Sequence, residues 1–145
     1  MHHLRWLSFT ALLLTTGALA QAAGPALPGG WIPLPAPTLS GAFLHEGNAD
    51  TAVLTADKDG YGLVVVPDAA SGAEARVVKT FHDIAANPPQ LSLIKPGNYQ
   101  PLCHGGGTCP PVSIASEAIG LCFGEASCEI LYFDGKAFRD IAITD

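Results

Sequence analysis

Short apolar runs, separated by polar and turn-forming residues, recur along most of this chain after its first 40 residues. The runs Thr51-Ala52-Val53-Leu54-Thr55 and Tyr61-Gly62-Leu63-Val64-Val65-Val66 are rich in β-branched and aliphatic residues. They flank Lys58-Asp59-Gly60, a sequence suited to a hairpin turn. Glu117 to Phe123, Glu129 to Phe133 and Ala137 to Ile143 form a second group, and Asp134-Gly135 predicts a two-residue turn between the last two. Leu91 to Ile94 reads as a further short strand ended by Pro96-Gly97. Between residues 71 and 87 two periods compete. Val77, Val78, Phe81, Ile84 and Ala85 trace a helical face, with Ser71 and Glu74 spaced as a capping box, whereas Arg76 to Phe81 fits a strand with Val77 and Phe81 on one side. We favour the strand. Seven or eight short strands with turns between them predict an all-β fold, a small antiparallel meander arranged as a sandwich or a propeller-like blade.

Two segments depart from this pattern. Residues 1 to 20 combine His2, His3 and Arg5 with the apolar run through Leu12-Leu13-Leu14 and the small-residue site Ala18-Leu19-Ala20. That is the layout of a secretory signal peptide, cleaved after Ala20 or Ala22, and the run is too short for a membrane span. Residues 21 to 40 carry Pro25, Pro28, Pro33, Pro35 and Pro37 with Gly24, Gly29 and Gly30, which predicts an extended linker. A single β domain is then expected over residues 41 to 145, of ordinary domain size.

Charge and cysteine content narrow the function. The chain holds 7 basic residues against 13 acidic ones, so it lacks the basic footprint that nucleic acid or an anionic lipid surface requires. A protein partner is compatible with this balance. The four cysteines, Cys103, Cys109, Cys122 and Cys128, all fall in the last third, and in an exported chain an even number at short spacing reads as disulfides. Three pairings are possible. The local one, Cys103 with Cys109 and Cys122 with Cys128, is favoured by spacing.

Catalytic chemistry finds little footing. His104-Gly105-Gly106-Gly107 matches the oxyanion-hole turn of lipases in four letters, but no G-x-S-x-G elbow accompanies it, and none of the serines has that setting. The carboxylates Glu125 with Glu129, or Glu46 with Asp50, read as solvated turn residues rather than a glycosidase pair. A zinc site on Cys103, His104 and Cys109 conflicts with adjacent ligands and with an oxidising compartment. The chain is therefore expected not to be an enzyme and to need no cofactor.

The stretch from Ala42 to Leu54 resembles the D-x-[DN]-x-D-G-x-x-D calcium loop of FG-GAP/VCBS-type repeats. Glu46, Gly47 and Asp50 match, while Ala42 and Leu44 occupy the first two ligand positions without a donor oxygen, so the loop is degenerate and no metal is expected in it. Tyr61-Gly62-Leu63-Val64-Val65, Lys95-Pro96-Gly97-Asn98-Tyr99 and the closing run Glu125 to Arg139 are similar to small exported FG-GAP/VCBS-like bacterial proteins over residues 42 to 145. Some similar periplasmic β proteins are immunity proteins or inhibitors that protect the cell wall from lysozyme-like hydrolases. The resemblance implies a binding protein of that kind. A rigid loop closed by Cys103 and Cys109 suits the role, because pre-organisation lowers the entropy lost on binding. His104, Gly105, Gly106 and Gly107 within it, and Tyr99 just before it, are the candidate contact residues. Another lysozyme-inhibitor family presents a histidine on a similar cysteine-bracketed loop, a likeness of device rather than of fold. The plainer alternative is a surface insertion on a β module of structural or ligand-binding role.

Overall fold

A computed structural model describes residues 26–103, 107–124 and 127–143. They form eleven strands: β1 (Ile32–Pro33), β2 (Leu39–Gly41), β3 (Asp50–Ala56), β4 (Tyr61–Val66), β5 (Arg76–Phe81), β6 (Gln90–Ile94), β7 (Gly97–Tyr99), β8 (Val112–Ile114), β9 (Ala118–Cys122), β10 (Cys128–Phe133) and β11 (Phe138–Ile143). Every pairing is antiparallel. The first sheet runs β1-β3-β4-β5, with β2 also on β3; the second runs β11-β10-β9-β6; β7 and β8 make a third, small sheet. The fold is all-β, as the short branched runs and the turns between them predict.

The layers follow from strand alternation, which sends successive side chains to opposite faces. Ala52, Leu54, Leu63 and Val65 of the first sheet meet Ile119, Leu121 and Leu131 of the second, with Phe43 and Ile84 filling the same core. The opposite face of the second sheet presents Ala118 and Ile130, which pack with Ile114 of β8 and with Ile94, Tyr99 and Ile141. The second sheet is thus the middle of three layers. One side of the sandwich is closed where β2 lies beside β6. At the other, Lys79 of β5 reaches across to Glu129 Oε2 at 2.6 Å and Asp140 Oδ2 at 3.3 Å. The ambiguous segment 71 to 87 contains a strand over the favoured range, interrupted by a bulge between its pairings with Leu63 and Val64.

The proline-rich segment belongs to the fold, so ordered structure starts well before Gly41. Ile32 and Pro33 pair with Ala56 and Thr55, Leu39 to Gly41 pair with Ala52 to Asp50, and Leu34 N donates to Leu54 O at 2.8 Å. Proline is tolerated because these are edge strands, where its missing N–H need not face a neighbour. The segment also crosses the outer face of the first sheet. Trp31 lies on Gly62, and Val53 and Val64, which point to that face, are 2 % and 0 % exposed. Thr55 is buried there as well, its hydroxyl satisfied by Gly62 O at 3.0 Å.

Candidate functional site

The connecting segments gather at two ends. β10 runs from Cys128 to Phe133, and Cys128 pairs with both Cys122 and Ile143, so one end carries the cysteines and the other the Asp134-Gly135 hairpin. The ring of Phe81, at the end of β5, meets Phe123 edge-on at 5.7 Å, which places the β3–β4 turn at the cysteine end.

Both disulfides are local. Cys122–Cys128 joins cross-strand partners and closes the β9–β10 hairpin, where Phe123 N donates to Ser127 O at 2.8 Å. Cys103–Cys109 closes a loop between β7 and β8. Leu102 N donates to Ala142 O of β11 at 2.9 Å and ties the loop to the second sheet, while Gln100 Nε2 donates to Cys109 O at 2.7 Å and bridges the loop within itself. Gly107 and Thr108 are exposed, as is Leu102 at 50 %. His104, Gly105 and Gly106 lie outside the described residues. Tyr99, the remaining candidate contact, is half-buried between the second and third layers, and its hydroxyl donates to Lys95 O at 2.6 Å. The geometry gives Tyr99 a packing role in the support of the loop rather than a place on the loop itself.

Beside this, the same end holds a pocket of about 210 Å³ lined by Trp31, Asp57, Asp59, Gly60, Tyr61, Thr80, Phe81 and His82. Two glycines shape it. A Cβ on Gly62 would sit 2.7 Å from Trp31 Cζ3, and one on Gly60 would sit 2.8 Å from Phe81 O, so neither the ring nor the turn could approach as it does. Asp57 Oδ1 accepts from Asp59 N at 2.8 Å and Gly60 N at 2.9 Å, fixing the turn.

The opposite end holds the loop before β3, residues 42 to 50. Asp50 is fully buried, with Oδ2 accepting from Leu44 N at 2.8 Å and Oδ1 from Asp68 N at 3.1 Å. Leu44 is turned into the core, and Ala42 N donates to Glu117 Oε2 at 2.9 Å. These residues do not fit a calcium ion. A hard cation needs six or more oxygens, whereas here backbone amides occupy the one buried carboxylate, and Glu46 stands exposed.

Two carboxyls near this end are held below their usual range. Glu117 is lowered by its hydrogen bond from Lys95 and by the Ala42 amide, against a smaller opposing effect of desolvation. Asp134 is lowered first by the Ala137 amide and then by Arg139 and the Lys136 amide; Arg139 is raised in turn. His45, Ser113 and Ser116 line one groove between these loops. Ser116 Oγ donates to Phe43 O at 3.5 Å and the His45 ring meets Phe133; among the described residues no serine hydroxyl is hydrogen-bonded to a histidine.

Sequence reasoning missed Leu102, whose exposure follows from its position on an anchored edge, and it missed the Trp31 pocket. A trace of the latter was present: glycine inside a strand of branched residues marks a close approach of some other group. Compared with protein-family models, with curated proteins and with solved structures, the chain matches none of them.

Proposed function

We propose that this is an exported binding protein, periplasmic or secreted, that acts as an inhibitor of, or immunity protein against, a peptidoglycan hydrolase of lysozyme type. The observation that carries this reading is the bracing of the Cys103–Cys109 loop, which is tied through Leu102 to β11 and cross-linked within itself by the disulfide and by Gln100 to Cys109. A loop closed covalently and tied to a sheet edge loses little freedom on entering a cleft. Exposed Leu102 beside it supplies an apolar contact, and His104, Gly105, Gly106 and Gly107 are the proposed contact residues. The acidic balance of the chain favours encounter with a cationic hydrolase. The purified protein is expected to slow peptidoglycan lysis by one or more lysozymes or by a toxin encoded beside it. Unchanged lysis and no complex across a panel of such enzymes would reject the reading.

A second reading, an FG-GAP/VCBS-like structural or ligand-binding module, is favoured by the loop before β3. Gly47 there keeps the left-handed turn, φ 84°, and Asp50 keeps its inward position. On this reading the loop survives as architecture while its cation has been replaced by backbone amides.

A further inference from the structure

The Trp31 pocket plays no part in the reading above, and its walls carry a distinct chemistry. Trp31, Tyr61 and Phe81 present aromatic surface, Asp57 and Asp59 present carboxylates, His82 adds an imidazole, and among the described residues neither lysine nor arginine lines it. We infer that this pocket receives one cationic side chain, the guanidinium or ammonium group of an arginine or lysine on a protein partner. Size sets the first limit. At about 210 Å³ it is smaller than sites for drug-sized ligands, which occupy roughly 300–1,000 Å³, and it has room for one side-chain head group.

Charge sets the second limit. An aromatic face attracts a cation through its quadrupole, and nearby carboxylates add direct attraction. Asp57 has one oxygen, Oδ2, with no hydrogen-bond partner among the described residues. Asp59 is held only by Lys58 Nζ at 2.6 Å, in a pair whose side chains are 85 % and 72 % exposed. An exposed pair of this kind is worth little, so an incoming cation can displace Lys58. A neutral sugar ring would use the aromatic surface but would bring no charge to Asp57, whose carboxylate has no cationic partner among the described residues. The pocket is also built in advance, since Gly62 seats the Trp31 ring and Gly60 seats the turn. It opens at the same end as the Cys103–Cys109 loop but on the first sheet, and the inference does not depend on what that loop binds.

The test is an NMR titration of the protein with blocked Gly-Arg-Gly and Gly-Lys-Gly, with Gly-citrulline-Gly as the neutral isostere and N-acetylglucosamine as the sugar. Saturable shifts of the Trp31 indole N–H and of the Gly60 and Gly62 amides are expected with a cationic peptide. The citrulline peptide should bind about ten-fold more weakly. Asp57→Asn keeps an acceptor oxygen for the turn, and Asp59→Asn removes only the pair with Lys58; both are expected to weaken cation binding while thermal melting confirms the fold. No response, an equal response to citrulline, a response to the sugar alone, or full affinity in the double variant would each overturn the inference. Lysis assays are a separate readout, so failure of hydrolase inhibition leaves this result standing.

Discussion

Asp50 holds Leu44: the buried carboxylate Oδ2 accepts the Leu44 amide at 2.8 Å and so fixes the loop that leads into β3. Its other oxygen takes the amide of Asp68, which carries the next connection. Asp50→Ala would leave both amides without that partner inside the fold. Each such loss costs about 1–3 kcal/mol, so a combined destabilisation of roughly 2–6 kcal/mol is expected from urea unfolding. Calcium at millimolar concentration is expected to leave the melting temperature of the unaltered protein unchanged; a rise that EDTA reverses would contradict this account of the loop.

Acid should weaken the fold through Glu117 and Asp134. Both carboxyls are lowered from ordinary values of 4.5 and 3.8, so the unfolded chain takes up protons before the folded one does. Their contribution is complete above those values and is lost as pH falls through them toward the lower folded ones. Thermal melts are expected to show no change from these groups between pH 7 and about 5 and a decline below that. Asp134→Asn should reduce the steepness of that decline. An identical acid profile in the variant would show that the turn carboxyl contributes nothing.

The two disulfides should separate stability from binding. Each closes a ring of the same size, with sequence separation 6, for which the chain-entropy model gives about 2.4 kcal/mol. Replacing Cys122 and Cys128 by alanine should lower stability by about that amount and leave partner binding intact. Replacing Cys103 and Cys109 should cost similar stability and also abolish the proposed inhibition of a hydrolase. Equal inhibition by both double variants would place the contact elsewhere on the molecule.

Gly62→Val tests the seat of Trp31. The added side chain would occupy the space of the indole ring, since even a Cβ meets it at 2.7 Å. Overpacking of this kind costs about 1–3 kcal/mol. The Trp31 emission is expected to move to longer wavelength as the ring is displaced into water. Unaltered emission and stability would mean that the ring is not held against the strand.

The strands that the sequence announces are those whose own residues decide them. β3 and β4 carry the branched runs and β10 and β11 flank Asp134, so short-range pattern and turn chemistry coincide there. β1, β2, β7 and β8, of two or three residues each, are defined by the neighbour they pair with, and no local pattern encodes that neighbour. The same holds for the sites. Local cysteine spacing agrees with the pairing seen, but the Trp31 pocket draws on residues 31, 57 to 61 and 80 to 82, which only the sheet brings together. Asp57, which organises the β3–β4 turn, lies one residue outside the Lys58-Asp59-Gly60 signal.

The middle sheet has a consequence for how the molecule opens. β9 and β10 are covered on both faces, by the main core on one side and by the β7–β8 layer on the other, so neither can detach without exposing two apolar surfaces at once. Transient opening is therefore confined to the flanks: the short edge strands, β5 and the outermost β11. Amide protons in β9 and β10 would exchange with solvent only when the whole chain unfolds. Between its two ends the protein is a braced frame, and the loops at one end are free to diversify without loosening those at the other.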